Sequence, residues 1–285
     1  METTEMSSPA ESLPSLDELL DNTAFHRRHL GPDQPAVAKM LEVIGAPTLN
    51  DLIDAIIPES IRDRTSLDLA GPMGEEETIA RLRGFADRNT VVTSLIGAGW
   101  YDTHMPAVIA RNVFEDPAWY TAYTPYQPEI SQGRLEVLLG FQTMISDLTG
   151  MDLANASLLD EATAGAEAMT LLKRAHRGGR NTFLVDSDCH PQVIDVIQTR
   201  ARPLGMEIQI ADPWAIQLNG EHDVFGSLIA FPGSGGNLRP LDRVVDHLHE
   251  AGVGVAVTAD LLALCLVTPP GELGVDVVVG SAQRF

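Results

Sequence analysis

The chain has 285 residues, 44% of them hydrophobic, with 40 acidic and 19 basic side chains and a formal charge of −21. That length suits one sizeable α/β domain plus an appendage, and so acidic a chain argues against nucleic acid and anionic membrane surfaces as partners. No apolar stretch is long enough to span a bilayer. The first 26 residues hold no Lys or Arg and so match neither a secretory signal nor a mitochondrial transit peptide, which leaves a cytoplasmic, bacterial-type protein as the expectation. Two cysteines, Cys189 and Cys265, with no CxxC point to a reducing compartment, to small packing residues and to no structural zinc.

Residues 1–14 read as a polar, disordered tail. Residues 15–90 read as a helical N-terminal appendage. Ser15 followed by Glu18 fits a capping box. Pro35 and Gly45 bracket a helix from Asp33 to Ile44. Thr48 caps another that runs through Ile57 and is stopped by Pro58. A fourth spans about Glu75 to Arg88. From residue 91 to 285 the pattern changes. Long helices are expected over Gln132 to Thr149, capped by Ser131 and ended by Gly150, and over Asp160 to His176. Short apolar strands then alternate with helices. The strands are Thr182–Val185, Met206–Ile210, Ser227–Phe231, Gly252–Thr258 and Val275–Val279. The helices between them are Pro191–Arg202 and Leu241–Glu250. Continuously apolar strands separated by helices predict a parallel sheet covered on both faces.

Before that sheet lies the most informative stretch, Trp119 to Arg134. It places Tyr120, Tyr123, Tyr126 and Gln127 among two stiffening prolines, Pro125 and Pro128. A connector without a task would be mostly Gly, Ser, Asn and Asp, so this composition suits a preshaped polar-aromatic wall of a binding site. The alternative is a surface loop whose rings pack on the body.

The same residues carry a resemblance. YTPYQPEISQG (123–133), GAGWYDTH (97–104), DLANASLLDEATAGAEAM (152–169), FHRRHLGP (25–32) and the closing ADLLALCLVTPPGELGVDVVVGSAQRF (259–285) resemble the glycine cleavage system P-protein family, the pyridoxal-phosphate-dependent glycine dehydrogenases (decarboxylating). The resemblance covers about residues 22–285 and only the N-terminal part of that family. It implies a pyridoxal-phosphate transferase-like α/β domain of the aspartate aminotransferase type (fold type I), incomplete at its C-terminus. It also implies glycine decarboxylation with transfer of the aminomethyl group to the lipoyl group of H-protein. The start resembles the single-chain long form, in which two related halves form the enzyme and the C-terminal half bears the cofactor lysine. The partners implied are glycine, lipoylated H-protein and the pyridoxal-phosphate-bearing half or subunit, in a homodimer when full length. The chain stops at Phe285, where family members continue, so it is expected to be incomplete, poorly folded and inert alone.

The chemistry-bearing residues agree with a degenerate half. Pyridoxal phosphate is held by a lysine Schiff base, and the chain has two lysines, Lys39 and Lys173, both read as surface residues. By the resemblance, Gln283 stands where that lysine would be, and an amide cannot replace it. Asp260 matches the acid that pairs with the pyridinium nitrogen, and His190 matches an aromatic near the ring; both are read as vestigial, His190 as a helix-start residue with a satisfied ring. Asp160 and Glu161 place carboxylates where a phosphate would need helix N–H groups. The turn Pro232–Gly236 lacks a P-loop lysine and reads as a flexible turn. His247 and His249 are two apart on a helix, a poor metal pair. The residues expected to shape a glycine pocket and lipoyl channel are Tyr123, Tyr126 and Gln127, with His104 and Ser131 outside them. A rival reading is a non-catalytic scaffold or interaction subunit supporting a pyridoxal-phosphate-bearing partner. A third is another pyridoxal enzyme such as an amino-acid decarboxylase, against which the missing lysine counts.

Overall fold

The computed structural model describes residues 13, 15, 16, 29–71, 73–100, 102–218 and 221–284. The expectations for the 1–14 tail, Leu13 apart, and for a Ser15–Glu18 capping box fall outside the described residues, as do the motif residues Phe25, His26, Arg27, Arg28, Tyr101 and Phe285. The chain divides between Thr93 and Ser94 into two compact units. Among the described residues no helix is long and apolar enough to cross a membrane.

In the first unit, α1 spans Gln34–Ile44. Asp33 caps it, its Oδ1 accepting from the Ala36 N–H at 2.8 Å, and Gly45 ends it at φ 79°, a left-handed conformation that glycine adopts without steric cost. Helix α2 spans Leu49–Ile56, with Thr48 Oγ1 accepting from the Asp51 N–H at 3.1 Å. Helix α3, Glu75–Ala86, carries three glutamates in its first turn, where the helix dipole favours them.

The second unit holds the sheet. Helix α4 (Gln132–Thr149) and helix α5 (Glu161–Ala175) precede it. Strand β1 (Thr182–Asp186), helix α6 (Pro191–Ala201), strand β2 (Glu207–Ala211), strand β3 (Val224–Phe231), helix α7 (Leu241–Glu250), strand β4 (Gly254–Ala259) and strand β5 (Val277–Val279) follow. The strands form one five-stranded sheet in the order β2-β1-β3-β4-β5, and every pairing is parallel.

Strand residues alternate between two cores, as the period of two demands. Phe183, Val185, Leu228 and Ala256 meet Met169 and Leu172 of α5 and Val193 and Ile197 of α6. Leu184, Ile229, Phe231, Val255 and Val257 meet Leu241, Val244 and Leu248 of α7 on the other side. Helices on both faces explain why β3 is buried at all eight positions and why its sequence reads as one apolar run. Helix α5 approaches closely because its inner face is small, with Ala162, Gly165, Ala166 and Ala168. A Cβ at Gly165 would lie 3.2 Å from Val193 Cγ1 and 3.3 Å from Leu228 Cδ2.

Several local expectations need correction. Ser131 occupies the N-cap position of α4, but its side chain makes no capping bond; the turn Pro128–Ile130 delivers the chain at φ −115° and ψ 19°, away from the extended conformation a side-chain cap uses. Strand β3 begins at Val224 rather than Ser227. Within it Gly226 is required, because a Cβ there would come within 3.1 Å of Phe183 Cε2 and 3.2 Å of Leu172 Cδ1. Cys189 is a buried packing residue, whereas Cys265 is exposed. Lys173 is half-buried, not a surface residue. Its ammonium donates to the Arg180 carbonyl and lies 5.1 Å from the centroid of the Phe225 ring.

Candidate functional site

The chain leaves β1 toward β2 on one side and returns to β3 on the other. Ligands of open α/β sheets bind beyond the strand C-termini at such a reversal. The segments gathered there are Asp186–His190 after β1, Phe231–Gly235 after β3, Asp260 after β4 and Ser281–Arg284 after β5. They enclose a cavity of about 70 Å³ lined by Gly99, Glu161, His190, Asp260, Gln283 and Arg284, among others. Three of the residues singled out from sequence, His190, Asp260 and Gln283, therefore meet at one place.

Each is engaged by the chain's own groups. Arg284 grips Asp260 with two hydrogen bonds, Nε to Oδ1 at 3.1 Å and Nη2 to Oδ2 at 2.7 Å. That guanidinium, more than the opposing burial, holds the Asp260 carboxyl below its ordinary value. Gln283 Nε2 donates to the Gly99 carbonyl at 2.7 Å. His190 Nδ1 lies 2.8 Å from Ser234 Oγ, so its ring is satisfied at the start of α6.

The helix and loop termini are likewise filled. Asp160 Oδ1 accepts from the Thr163 N–H at 2.7 Å and Thr163 Oγ1 accepts from the Asp160 N–H at 3.1 Å, a reciprocal capping box that occupies the N-terminus of α5. The backbone N–H of Thr163, followed by its hydroxyl, lowers the Asp160 carboxyl below its usual range. Glu161 Oε1 accepts from Thr258 Oγ1 at 2.8 Å, bringing a second carboxylate to the sheet edge. The glycine turn after β3 is not a free cradle. Asp188 Oδ1 accepts from the Gly235 N–H at 2.8 Å, and a Cβ on Gly233 would fall 2.2 Å from Asp188 Oδ2.

Two buried acidic groups lie just behind. Asp186 accepts from the N–H groups of Asp188 at 2.9 Å and Ala230 at 3.3 Å, but burial wins and pushes its carboxyl up. Burial also pushes the Cys189 thiol up, with Asp186 and Asp188 adding to the effect, so Cys189 is no nucleophile. His247 and His249 reach different partners, the Ile216 carbonyl at 3.3 Å and Asp276 Oδ2 at 2.9 Å.

The aromatic stretch lies elsewhere in the same unit. Tyr123 and Tyr126 are 79% and 77% exposed, with ring centroids 6.1 Å apart. Gln127 and His104 are also exposed, and Ser131 is half-buried. None of these five lines the cavity at the strand ends.

Comparison with known proteins gives this geometry a lineage. Residues 27–285 match the family described as glycine cleavage system P-protein. The chain belongs to that family. It is 54% identical over 273 residues to glycine dehydrogenase (decarboxylating) 2 of Pseudomonas fluorescens (strain Pf0-1), covering 96% of this chain and 28% of the relative. It is 54% identical over 260 residues to glycine dehydrogenase (decarboxylating) of Cereibacter sphaeroides (strain KD131), covering 91% of this chain and 27% of the relative. A crystal structure of glycine decarboxylase (P-protein) of the glycine cleavage system, in inhibitor-bound form, superposes with a TM-score of 0.78 at 32% identity, over 90% of this chain and 58% of that one. The chain thus spans little more than a quarter of the length of these curated relatives. The α/β domain is of the pyridoxal-phosphate transferase type expected from the sequence.

The residues of this P-protein chain do not fit pyridoxal phosphate. A cavity of about 70 Å³ is far below the roughly 300 Å³ at which small-molecule pockets begin. Gln283 offers no amine, Arg284 already occupies Asp260, and Glu161 adds a carboxylate to the lining. The sequence singles out Asp260 and Gln283 but not Arg284 or Thr258. Arg284 adjoins Gln283, yet nothing in its spacing shows that it turns back to an acid 24 positions earlier.

Proposed function

We propose that this chain forms the non-lysine half of a glycine dehydrogenase (decarboxylating), the P-protein of the glycine cleavage system. The whole protein would carry out pyridoxal-phosphate-dependent glycine decarboxylation and transfer of the aminomethyl group to the lipoyl group of H-protein, in the cytoplasm. The lysine that holds the cofactor would come from the C-terminal half or a separate subunit. Residues 15–90 would form a helical appendage and 91–285 the degenerate α/β domain, within an assembly that is a homodimer at full length. The observation that carries this reading is a pyridoxal-phosphate-type sheet whose own cleft is narrowed by Arg284 on Asp260 and Gln283 on the Gly99 carbonyl.

In that assembly Tyr123, Tyr126 and Gln127, with His104 and Ser131, would shape the glycine pocket and lipoyl channel. Their exposure supports the idea, since exposed paired tyrosines are available to a neighbouring half. Replacing Tyr126 by Phe removes one hydroxyl and leaves the ring. In the full-length protein it should lower kcat/KM for glycine about tenfold, the value of one lost hydrogen bond. An unchanged kcat/KM removes Tyr126 from the site.

The closed cleft also favours a second reading, a scaffold without catalytic duty that supports a pyridoxal-phosphate-bearing partner. Co-purification with such a partner, together with turnover untouched by every substitution among the five pocket candidates, would select it.

A further inference from the structure

The segment Gly97-Ala98-Gly99-Trp100 has an uncommon backbone. Three consecutive residues take positive φ, 65° at Gly97, 50° at Ala98 and 87° at Gly99. Ala98 is the sole non-glycine residue with positive φ among the described residues. One internal bond, Trp100 N–H to the Gly97 carbonyl at 2.9 Å, closes the turn. A conformation so sparsely populated persists when its surroundings over-determine it.

Here the surroundings are two glutamine amides on successive carbonyls. Gln192 Nε2, from the first turn of α6, donates to the Ala98 carbonyl at 2.9 Å. Gln283 Nε2, from the segment after β5, donates to the Gly99 carbonyl at 2.7 Å. The turn is seated on the His190 ring. A Cβ at Gly99 would stand 3.3 Å from both Cδ2 and Nε2 of that imidazole, so a glycine is needed for the close approach as well as for its φ.

We propose that Gln283 and Gln192 are positioning residues that form a two-point latch. They hold the 97–100 turn against the C-terminal edge of the sheet and so set the course of residues 102–104, which carry His104. The position matching the family's cofactor lysine has thereby become a structural donor. The consequence for glycine turnover rests on the reading that His104 belongs to the glycine site.

The test uses the full-length protein and reads amide hydrogen exchange at Trp100. Gln283→Glu keeps size and shape but cannot donate, and it turns a carboxylate toward the Gly99 carbonyl. Gln283→Lys retains a donor. The latch predicts exchange at Trp100 about tenfold faster in Gln283→Glu, β1 to β4 still protected, and recovery in Gln283→Lys. Gln192→Ala should give the same local loosening. Unchanged exchange in Gln283→Glu overturns the proposal, and so does loosening that spreads through the sheet or that Gln283→Lys fails to reverse. Should Gln283→Glu not fold, Gln192→Ala decides by the same criterion. Glycine turnover unaffected by His104→Ala would remove His104 from the glycine site, whereas the exchange result would still decide the latch.

Discussion

Ser227 is a polar residue with nothing to bond. It lies in the middle of β3 with no exposed surface, and its Oγ has no hydrogen-bond partner. A buried hydroxyl without compensation costs about 1–3 kcal/mol. Ser227→Ala should therefore raise stability by about 1 kcal/mol, less a small cavity term, seen as a higher urea midpoint with an unchanged slope. A lower midpoint would mean that the hydroxyl has a partner in solution. Asp260 is the opposite case. Arg284 lowers its pKa, so the pair stabilises the fold at pH values above the carboxyl's unfolded value, and the gain is lost as pH falls through the lower folded value. The ion pair is partly exposed, which holds its worth to about 1 kcal/mol. Asp260→Asn should be less stable than the parent by that amount at neutral pH, and the two urea midpoints should converge as pH drops below 3.8. A gap that persists in acid would assign the loss to packing.

At the scale of elements, the join between α4 and the β4–β5 connection depends on a glycine pair. Gly150 ends α4 at φ 69°, and a Cβ on Gly271 would sit 2.2 Å from the Gly150 carbonyl oxygen. Backbone atoms cannot yield as a flexible side chain can, so Gly271→Ala should cost about 1–3 kcal/mol, read as a lower thermal midpoint. An unaltered midpoint would show that the turn shifts freely. Gly150 was legible as a helix end because left-handed caps select glycine, but the role of Gly271 was not, because it arises from a contact distant in sequence. The same division explains the rest of the fold. The long helices and the five strands were legible from apolar runs and caps. The first three residues of β3, Val224 to Gly226, are not legible in the sequence, because the fit of Gly226 depends on Phe183 and Leu172 lying beside it. The short helical turn Ala107–Ile109, passing into a π-helical turn at Ala110–Phe114, has no apolar period to betray it. Asp116 followed by Pro117 does carry a cap signal, and Asp116 Oδ1 accepts from the Ala118 N–H at 2.9 Å.

For the whole molecule, the question is whether the missing lysine alone separates this domain from a cofactor-binding one. The sequence singles out Gln283, Asp260 and the Asp160–Glu161 pair, from which the lack of cofactor-holding parts is an expectation. It did not show that Arg284 bonds Asp260, Thr258 bonds Glu161 and Asp188 bonds Gly235, since that depends on how β1, β3, β4 and the Ser281–Arg284 segment converge. Three obstacles are independent of the amine. At the N-terminus of α5 the Asp160 carboxylate already takes the Thr163 N–H. The acid that would face a pyridinium is bound to Arg284 at 2.7 Å. The chain's net charge of −21 opposes a phosphate dianion at long range. Gln283→Lys should thus supply an amine without creating a pyridoxal phosphate site. In this chain, incubated with pyridoxal phosphate and freed of excess, no new visible absorbance band should survive borohydride-free gel filtration. A retained band from Gln283→Lys alone would show that the cleft opens readily and that Arg284 and Asp160 are no barrier. If instead the band emerges when Asp160→Ser and Arg284→Gly are added, those two side chains are what exclude it.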